Sequence, residues 1–157
     1  MLSLVESIVL GVIQGLTEWL PVSSSGHLAL AKEFFDWKPP VIFYVFLHLG
    51  TLVVVVTCFR KDILRVLEAL VKRDFESEWG RLGVFVVVGS IPTAIIGYVF
   101  KELFESFFDN LLVVGVALLA TGFMLFVSER RRGDKALSYW DSLLVGTAQG
   151  IAIIPGV

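Results

Sequence analysis

The chain has 157 residues, of which 56% are hydrophobic and 18% are charged, and its formal net charge is -2. Soluble domains usually contain about 45–50% apolar and about 25% charged residues. With a mean hydropathy of +0.82, this composition excludes an ordinary soluble domain and predicts an all-α, polytopic membrane protein. The small net charge says little more, because charge in a membrane protein matters by its location.

The first apolar segment, residues 3–20, ends in a polar break. Pro21 and three serines follow at once, and residues 28–35 form a second, shorter apolar piece. Backbone that is broken at membrane depth is tolerated only where it is buried in protein or lines water. We therefore predict that the two half-length pieces form a re-entrant helix hairpin.

Three uninterrupted apolar stretches follow, each close to the roughly 20 residues that a helix needs to cross a bilayer. They cover residues 41–59, 82–100 and 111–128. The connections at 60–81 and 129–137 are rich in Lys and Arg, whereas residues 101–110 contain one lysine against three acidic residues. The positive-inside rule predicts that the two basic connections are cytoplasmic. Residues 101–110 and the loop at 32–40 then face outward.

Two segments of the chain nearly repeat each other. Residues 6–15 and 141–150 share the pattern acid-Ser-three apolar-Gly-x-x-Gln-Gly. If the first copy is re-entrant, three spans separate the copies, so the second is inverted relative to the first. We predict a first membrane repeat over residues 1–137 and the start of an incomplete second repeat over 138–157. In such inverted repeats the site lies where broken helices of the two copies meet.

Gln14 and Glu18 are the first candidates for chemistry. They are four residues apart, so their side chains are adjacent on one helical face. Their oxygens could hold a hard divalent cation, and Glu18 could act as a base. A helix-packing polar pair, or a Glu18 near the surface, is an equally simple explanation, but Pro21 and the serines that follow favour function.

Ser23, Ser24, Ser25 and Gly26 precede a short apolar helix, and His27 follows them. Hydroxyls and free N–H groups at a helix N-terminus bind anions, for which phosphate is the natural candidate. N-capping is the structural alternative, although capping alone does not require three serines. His27 could be an acid, a base, a nucleophile toward phosphorus or a metal ligand. A lone histidine is more often structural, but its polar neighbours favour function.

Three other features are interpreted as structural. The spacing Gly11-x-x-x-Gly15 indicates a close approach of two helices. His48 is flanked by leucines within an apolar stretch, with no polar cluster near it in sequence. Cys58 is the single cysteine and cannot form an internal disulfide.

The motif Gln14-x-x-x-Glu18, followed by Pro-Val-Ser-Ser-Ser-Gly-His at residues 21–27, resembles the first signature of the undecaprenyl-pyrophosphate phosphatase family. These are the BacA-type lipid phosphatases linked to bacitracin resistance. The resemblance runs through residues 46–51 and 91–93 to Pro155-Gly156. It implies a hydrolase of the cell membrane that converts a C55-type isoprenyl pyrophosphate to the monophosphate. That reaction recycles a carrier lipid for envelope glycans such as peptidoglycan.

The resemblance also implies roles for individual residues. Gln14 and Glu18 would help to hold a divalent cation, Mg or Ca, or a water. Ser24 and His27 would contact or attack the terminal phosphate, with residues 23–26 binding it. The partners that it implies are the isoprenyl pyrophosphate and membrane lipids, with no nucleic acid, and a homodimer is left open.

The family's second signature, P-G-x-S-R-S, should follow Pro155-Gly156, so we expect the chain to be the N-terminal part of a longer phosphatase. The alternative function is a polyprenyl-phosphate transporter or flippase without hydrolysis. Inverted repeats and broken helices are a common transporter plan. The histidine beside the serines favours the phosphatase, since binding alone does not need it.

Overall fold

The computed structural model describes residues 2–129 and 136–157, and these ranges contain helices and no strand. The prediction of an all-α protein is therefore confirmed. The basic residues Arg130, Arg131, Arg132 and Lys135 lie outside the described residues. The described helices are α1 Leu4–Thr17, α2 Ser24–Phe34, α3 Val41–Cys58, α4 Arg60–Val71, α5 Glu78–Val99, α6 Lys101–Phe107, α7 Leu111–Ser128 and α8 Tyr139–Ile151.

Three of these helices, α3, α5 and α7, are long and apolar enough to cross a membrane. They contain 18, 22 and 18 residues, which at a rise of about 1.5 Å per residue matches a hydrocarbon core of about 30 Å. The three predicted spans are confirmed, and the chain is a multi-pass protein of the cell membrane. The middle span begins at Glu78, four residues before the predicted start.

The connections between the spans contain helices that the sequence analysis treated as loops. Helix α4 follows α3 almost at once, and α6 occupies most of the predicted outer loop. Lys32 likewise belongs to the last turn of α2 rather than to a loop. Short helices of mixed composition give a weak hydrophobic signal, so packing against a neighbour decides whether they form. For α4 that neighbour is α5.

The described residues form two compact units. The first contains residues 2–52, 101–129 and 152–157, and therefore holds α1, α2, most of α3, α6 and α7. The second contains residues 53–100 and 136–151, and therefore holds the end of α3 with α4, α5 and α8.

In the first unit, α1 and α2 are the half-length helices that the sequence predicted. They contain 14 and 11 residues, or about 21 and 16 Å, so neither crosses a bilayer core alone. A capping box formed by Ser3 and Glu6 starts α1. Helix α2 packs against both α1 and α7. Leu10 and Leu28 form the buried core of the pair, with Leu47 of α3 packed against it.

In the second unit, α5 and α8 pack with their backbones in contact. A Cβ atom added to Gly146 would overlap the carbonyl oxygen of Gly89, and Thr93 Oγ1 donates to the Gly146 carbonyl oxygen at 2.7 Å. The close approach predicted for Gly11 and Gly15 is wrong. Among the described residues, a Cβ at Gly15 would meet nothing within 4 Å, and one at Gly11 would meet only a Leu47 methyl at 3.9 Å. The reason is that a different face of α1, which carries Leu10 and Gln14, is the buried one.

Candidate functional site

The turn between α1 and α2 is built around Ser23. Its φ of 64° lies in the left-handed region, where a residue other than glycine costs about 1–3 kcal/mol unless its surroundings hold it. Two hydrogen bonds hold it: the Ser23 hydroxyl accepts from the Gly26 N–H at 3.3 Å and from the Gly156 N–H at 2.9 Å. Ser23 thus caps α2 and binds the end of the described chain with the same oxygen.

The end of the chain packs directly on this turn. A Cβ added to Gly26 would lie 2.8 Å from the Gly156 Cα, so the contact requires a glycine at position 26. Gly156 has a φ of +106°, and its carbonyl oxygen accepts from the buried Thr121 hydroxyl at 2.8 Å. The residues that follow the second repeat motif therefore lie beside the serines of the first.

A chain of side-chain hydrogen bonds joins α2 to α1 and α3. Ser24 Oγ donates to Glu18 Oε2 at 2.6 Å, and Gln14 Nε2 donates to the same oxygen at 3.0 Å. Gln14 is only 1% exposed, and its Nε2 also lies 3.5 Å from Thr51 Oγ1. The predicted adjacency of Gln14 and Glu18 is present, and the structure adds Ser24 as the partner of the carboxylate.

His27 is held by its own helix. Its Nδ1 lies 2.8 Å from the Ser23 carbonyl oxygen. Because a carbonyl oxygen only accepts, Nδ1 carries the hydrogen, and the neutral ring keeps its lone pair on Nε2. His27 is half-buried, and its Nε2 is the atom available as a base or a nucleophile.

These residues can perform phosphate chemistry together. A hydroxyl that donates to a carboxylate, which is itself oriented by a third group, is the usual arrangement of an activated nucleophile. The first N–H groups of α2 have no partners within the helix, and the positive end of the helix dipole attracts anions. The turn thus brings together a helix N-terminus, a hydroxyl, a carboxylate and an imidazole, a set of groups that suits phosphate chemistry.

Gln14 and Glu18 supply oxygens of the kind that a hard divalent cation binds. Gln14 Oε1 is buried and has no hydrogen-bond partner among the described residues, so a cation or a water would satisfy it. No group of three or more His, Cys, Asp or Glu side chains exists in the part of the chain that the structure describes. Mg²⁺ commonly binds through one or two protein oxygens plus substrate phosphates, and this pair suits that mode.

Thr51 and Thr121 also contact this site, and the motif pattern of the sequence does not include them as candidates. The signal that could have found them is an isolated hydroxyl within an otherwise apolar span, because polar groups at membrane depth are costly and often functional. Gly156 was noted only as part of the motif, since its partner Ser23 is 133 positions away.

The sequence is similar to those of several known proteins. Residues 7–157 match the sequence family described as Bacitracin resistance protein BacA. A protein of Carboxydothermus hydrogenoformans named undecaprenyl-diphosphatase is 41% identical, with 97% of this chain and 57% of the relative aligned. Proteins of the same name from Syntrophotalea carbinolica and Nocardioides sp. are 42% and 40% identical, covering 99% and 100% of this chain and 62% and 61% of their own lengths.

The chain therefore spans 57–62% of the length of these three relatives. No solved structure is a significant match to it.

Proposed function

The chain belongs to the BacA family of bacitracin resistance proteins, and on that premise we propose that it takes part in hydrolysing the terminal phosphate of a membrane-bound isoprenyl pyrophosphate. The relatives' shared name, undecaprenyl-diphosphatase, specifies the C55 lipid as their substrate. Release of its terminal phosphate would yield the lipid monophosphate, the form in which a carrier lipid is reused.

The observation that carries the proposal is the 2.6 Å hydrogen bond from the Ser24 hydroxyl to the Glu18 carboxylate. A short bond of this kind is charge-assisted and places the base within reach of the proton that it would remove. Gln14 holds the same carboxylate from the buried side. Pure lipid binding would not need a nucleophile paired with a base.

In the proposed reaction, Ser24 Oγ attacks the terminal phosphorus and its proton passes to Glu18. The bond between that phosphorus and the bridging oxygen breaks, and the isoprenyl monophosphate leaves with the electron pair of that bond. Water then attacks the phosphoserine, with His27 Nε2 accepting a proton from the water. The bond between phosphorus and Ser24 Oγ breaks, Ser24 Oγ takes back the proton held by Glu18, and inorganic phosphate is released. The proton on His27 returns to solvent. The amides at the start of α2 stabilise the charge on the phosphoryl oxygens throughout.

A divalent cation fits this scheme as a charge-neutralising partner. Mg²⁺ or Ca²⁺ held by Gln14 and Glu18 would polarise the phosphate oxygens and offset their charge. Gln14 is neutral and Glu18 supplies one negative charge, so the pyrophosphate itself would provide most of the charge that attracts the ion.

The test is phosphate release from farnesyl pyrophosphate, a short soluble isoprenyl pyrophosphate, by the protein expressed from its full coding sequence. We expect Glu18→Gln to lower kcat by about 10²–10⁴-fold, the usual contribution of a general base. Glu33→Gln is the matched control, because Glu33 is an exposed carboxylate about two turns beyond the serines along α2. A Glu18→Gln protein with the kcat of the parent would contradict the proposal.

The covalent step has its own signature. Acid-quenched protein should retain radiolabelled phosphate as acid-stable phosphoserine, and Ser24→Ala should abolish this label. An acid-labile label that disappears in His27→Ala would assign the attack to His27 instead. Movement of labelled lipid across vesicles without phosphate release would support the transporter alternative.

A further inference from the structure

A cavity of about 510 Å³ extends from the serine turn along α2. Ser25, Leu28, Ala29 and Lys32 line one wall, and their spacing places them on a single helix face. The opposite walls come from the start of α3 and from the end of α6 with the residues after it. Most of the lining is apolar, with Ser25 at the inner end of α2 and Lys32 two turns further along.

Lys32 is the one lysine or arginine that lines this cavity in the part of the chain that the structure describes. Its side chain is only 25% exposed, and its Nζ donates to Asp109 Oδ1 at 2.7 Å, whereas Asp109 is 81% exposed. The less exposed partner of this ion pair is thus the cation, and its carboxylate partner is a solvated group that can be exchanged. An ammonium group has three N–H donors, and the structure shows one of them bound to Asp109.

We propose that Lys32 binds the phosphate that stays on the isoprenyl lipid, exchanging Asp109 for that phosphate, with the first isoprenoid carbons in the cavity. The inference rests on the proposed function, since it places the terminal phosphate at Ser24. Helical side chains lean toward the N-terminus of their helix, so the Lys32 stem leans toward Ser25. The facing walls contribute apolar side chains, Val41 and Phe108 among them, and these suit the hydrocarbon chain that follows the lipid phosphate.

The other charged and polar groups of the cavity agree with this assignment. Glu105 also lines it, but its carboxylate lies 3.8 Å from Lys101 Nζ, which offsets its charge. His48 and Tyr44 line the wall on α3. His48 Nδ1 lies 2.8 Å from the Tyr44 carbonyl oxygen, so Nε2 is left for a ligand. His48, which has no polar cluster near it in sequence, therefore borders a cavity that has a polar end in the structure.

The test measures equilibrium binding by calorimetry in detergent, with farnesyl monophosphate and inorganic phosphate as probes. We expect Lys32→Met to weaken farnesyl monophosphate binding about tenfold, the effect of losing one charge-assisted hydrogen bond. Lys32→Arg should retain most of the affinity. Lys38→Met is the matched control, because Lys38 is exposed, pairs with Asp36 and does not line the cavity.

Asp109→Asn separates ligand binding from a structural role. If Asp109 competes with the ligand for Lys32, its removal should tighten farnesyl monophosphate binding about threefold, within the range for an exposed ion pair. If the pair were only structural, Asp109→Asn and Lys32→Met would change the affinity in the same direction. Equal weakening by both variants would overturn the proposal, as would a parent protein that does not bind farnesyl monophosphate.

These outcomes are distinct from those that test hydrolysis. A parent protein that binds farnesyl monophosphate through Lys32 but releases no phosphate from the pyrophosphate would keep this inference and reject the proposed function. If Lys32→Met binds farnesyl monophosphate as the parent does and hydrolysis is intact, the proposed function is kept and this inference is rejected. Binding of inorganic phosphate should be unaffected in Lys32→Met, because that probe lacks the lipid that would bring a phosphate to Lys32.

Discussion

At the scale of single residues, Ser23 determines the shape of the site. It adopts a left-handed backbone conformation, caps α2 and binds the Gly156 amide with one hydroxyl. Ser24 and His27 depend on it in turn, because the first begins the helix that Ser23 caps and the second bonds to the Ser23 carbonyl oxygen. The reactive groups are therefore positioned by a residue that need not itself react.

We expect the stability of variants at this position to fall in the order Ser23, Ser23→Gly, Ser23→Ala. Both substitutions remove the hydrogen bonds of the Ser23 hydroxyl to the Gly26 N–H, the Gly156 N–H and the Ser25 hydroxyl, each worth about 1 kcal/mol. Glycine also relieves the left-handed strain, so the glycine variant should be about 1 kcal/mol more stable than the alanine variant. Thermal unfolding in detergent gives the order, and an alanine variant at least as stable as the glycine variant would contradict the backbone argument.

At the scale of helices, the two repeat motifs use the same glycine differently. Gly11 and Gly146 occupy equivalent positions of the repeat. Gly146 allows α8 to touch the backbone of α5, whereas Gly11 has ordinary space around it. The repeated sequence pattern thus does not imply a common packing partner.

This difference predicts opposite effects of the same substitution. Gly146→Ala should destabilise the protein by about 1–3 kcal/mol, because the added methyl group must push the two helices apart. Gly11→Ala should be neutral or stabilising by up to about 1 kcal/mol, since alanine favours the helix over glycine. Unfolding midpoints of the two variants check this, and equal destabilisation would refute the packing assignment.

At the scale of the whole molecule, the three spans and the charge of the connections define a topology. Lys32 and Asp109 come from the two segments predicted to face outward, and they form an ion pair. This contact agrees with the prediction that both segments lie on the same side. The assignment of that side to the exterior rests on the positive-inside rule, and the inverted relation of the repeats and the homodimer likewise stay predictions.

Cysteine labelling tests the topology directly. In a Cys58→Ser background, we expect a cysteine at Glu76 to react with a membrane-impermeant reagent only in inverted vesicles. A cysteine at Glu102 should react only in intact cells. Both positions are exposed and lie outside the Lys32 pair. Labelling of both from one side would exclude the proposed arrangement of spans.

The sequence predicted what depends on neighbours along the chain. The spans α3, α5 and α7 follow from length and hydropathy, and Gln14, Glu18 and the serines lie within two turns and a loop of one another. Other contacts join residues far apart in sequence: 37 positions separate Gln14 from Thr51, and 133 separate Ser23 from Gly156. The internal repeat predicts that the two motifs meet, but a single sequence does not identify which residues form such pairs. The hydropathy pattern did not predict helices α4 and α6, because their many polar residues lower the average hydropathy of segments whose apolar face is short.

Helix α2 has one further consequence, which concerns motion. Ser24, His27 and Lys32 all belong to this single helix, and the 1.5 Å rise per residue fixes the first and last about 12 Å apart along its axis. His27 cannot swing independently while Nδ1 is bonded to the Ser23 carbonyl oxygen. Any rigid-body displacement of α2 must therefore move all three side chains together. The serine end of the helix and the Lys32 end change position in one step.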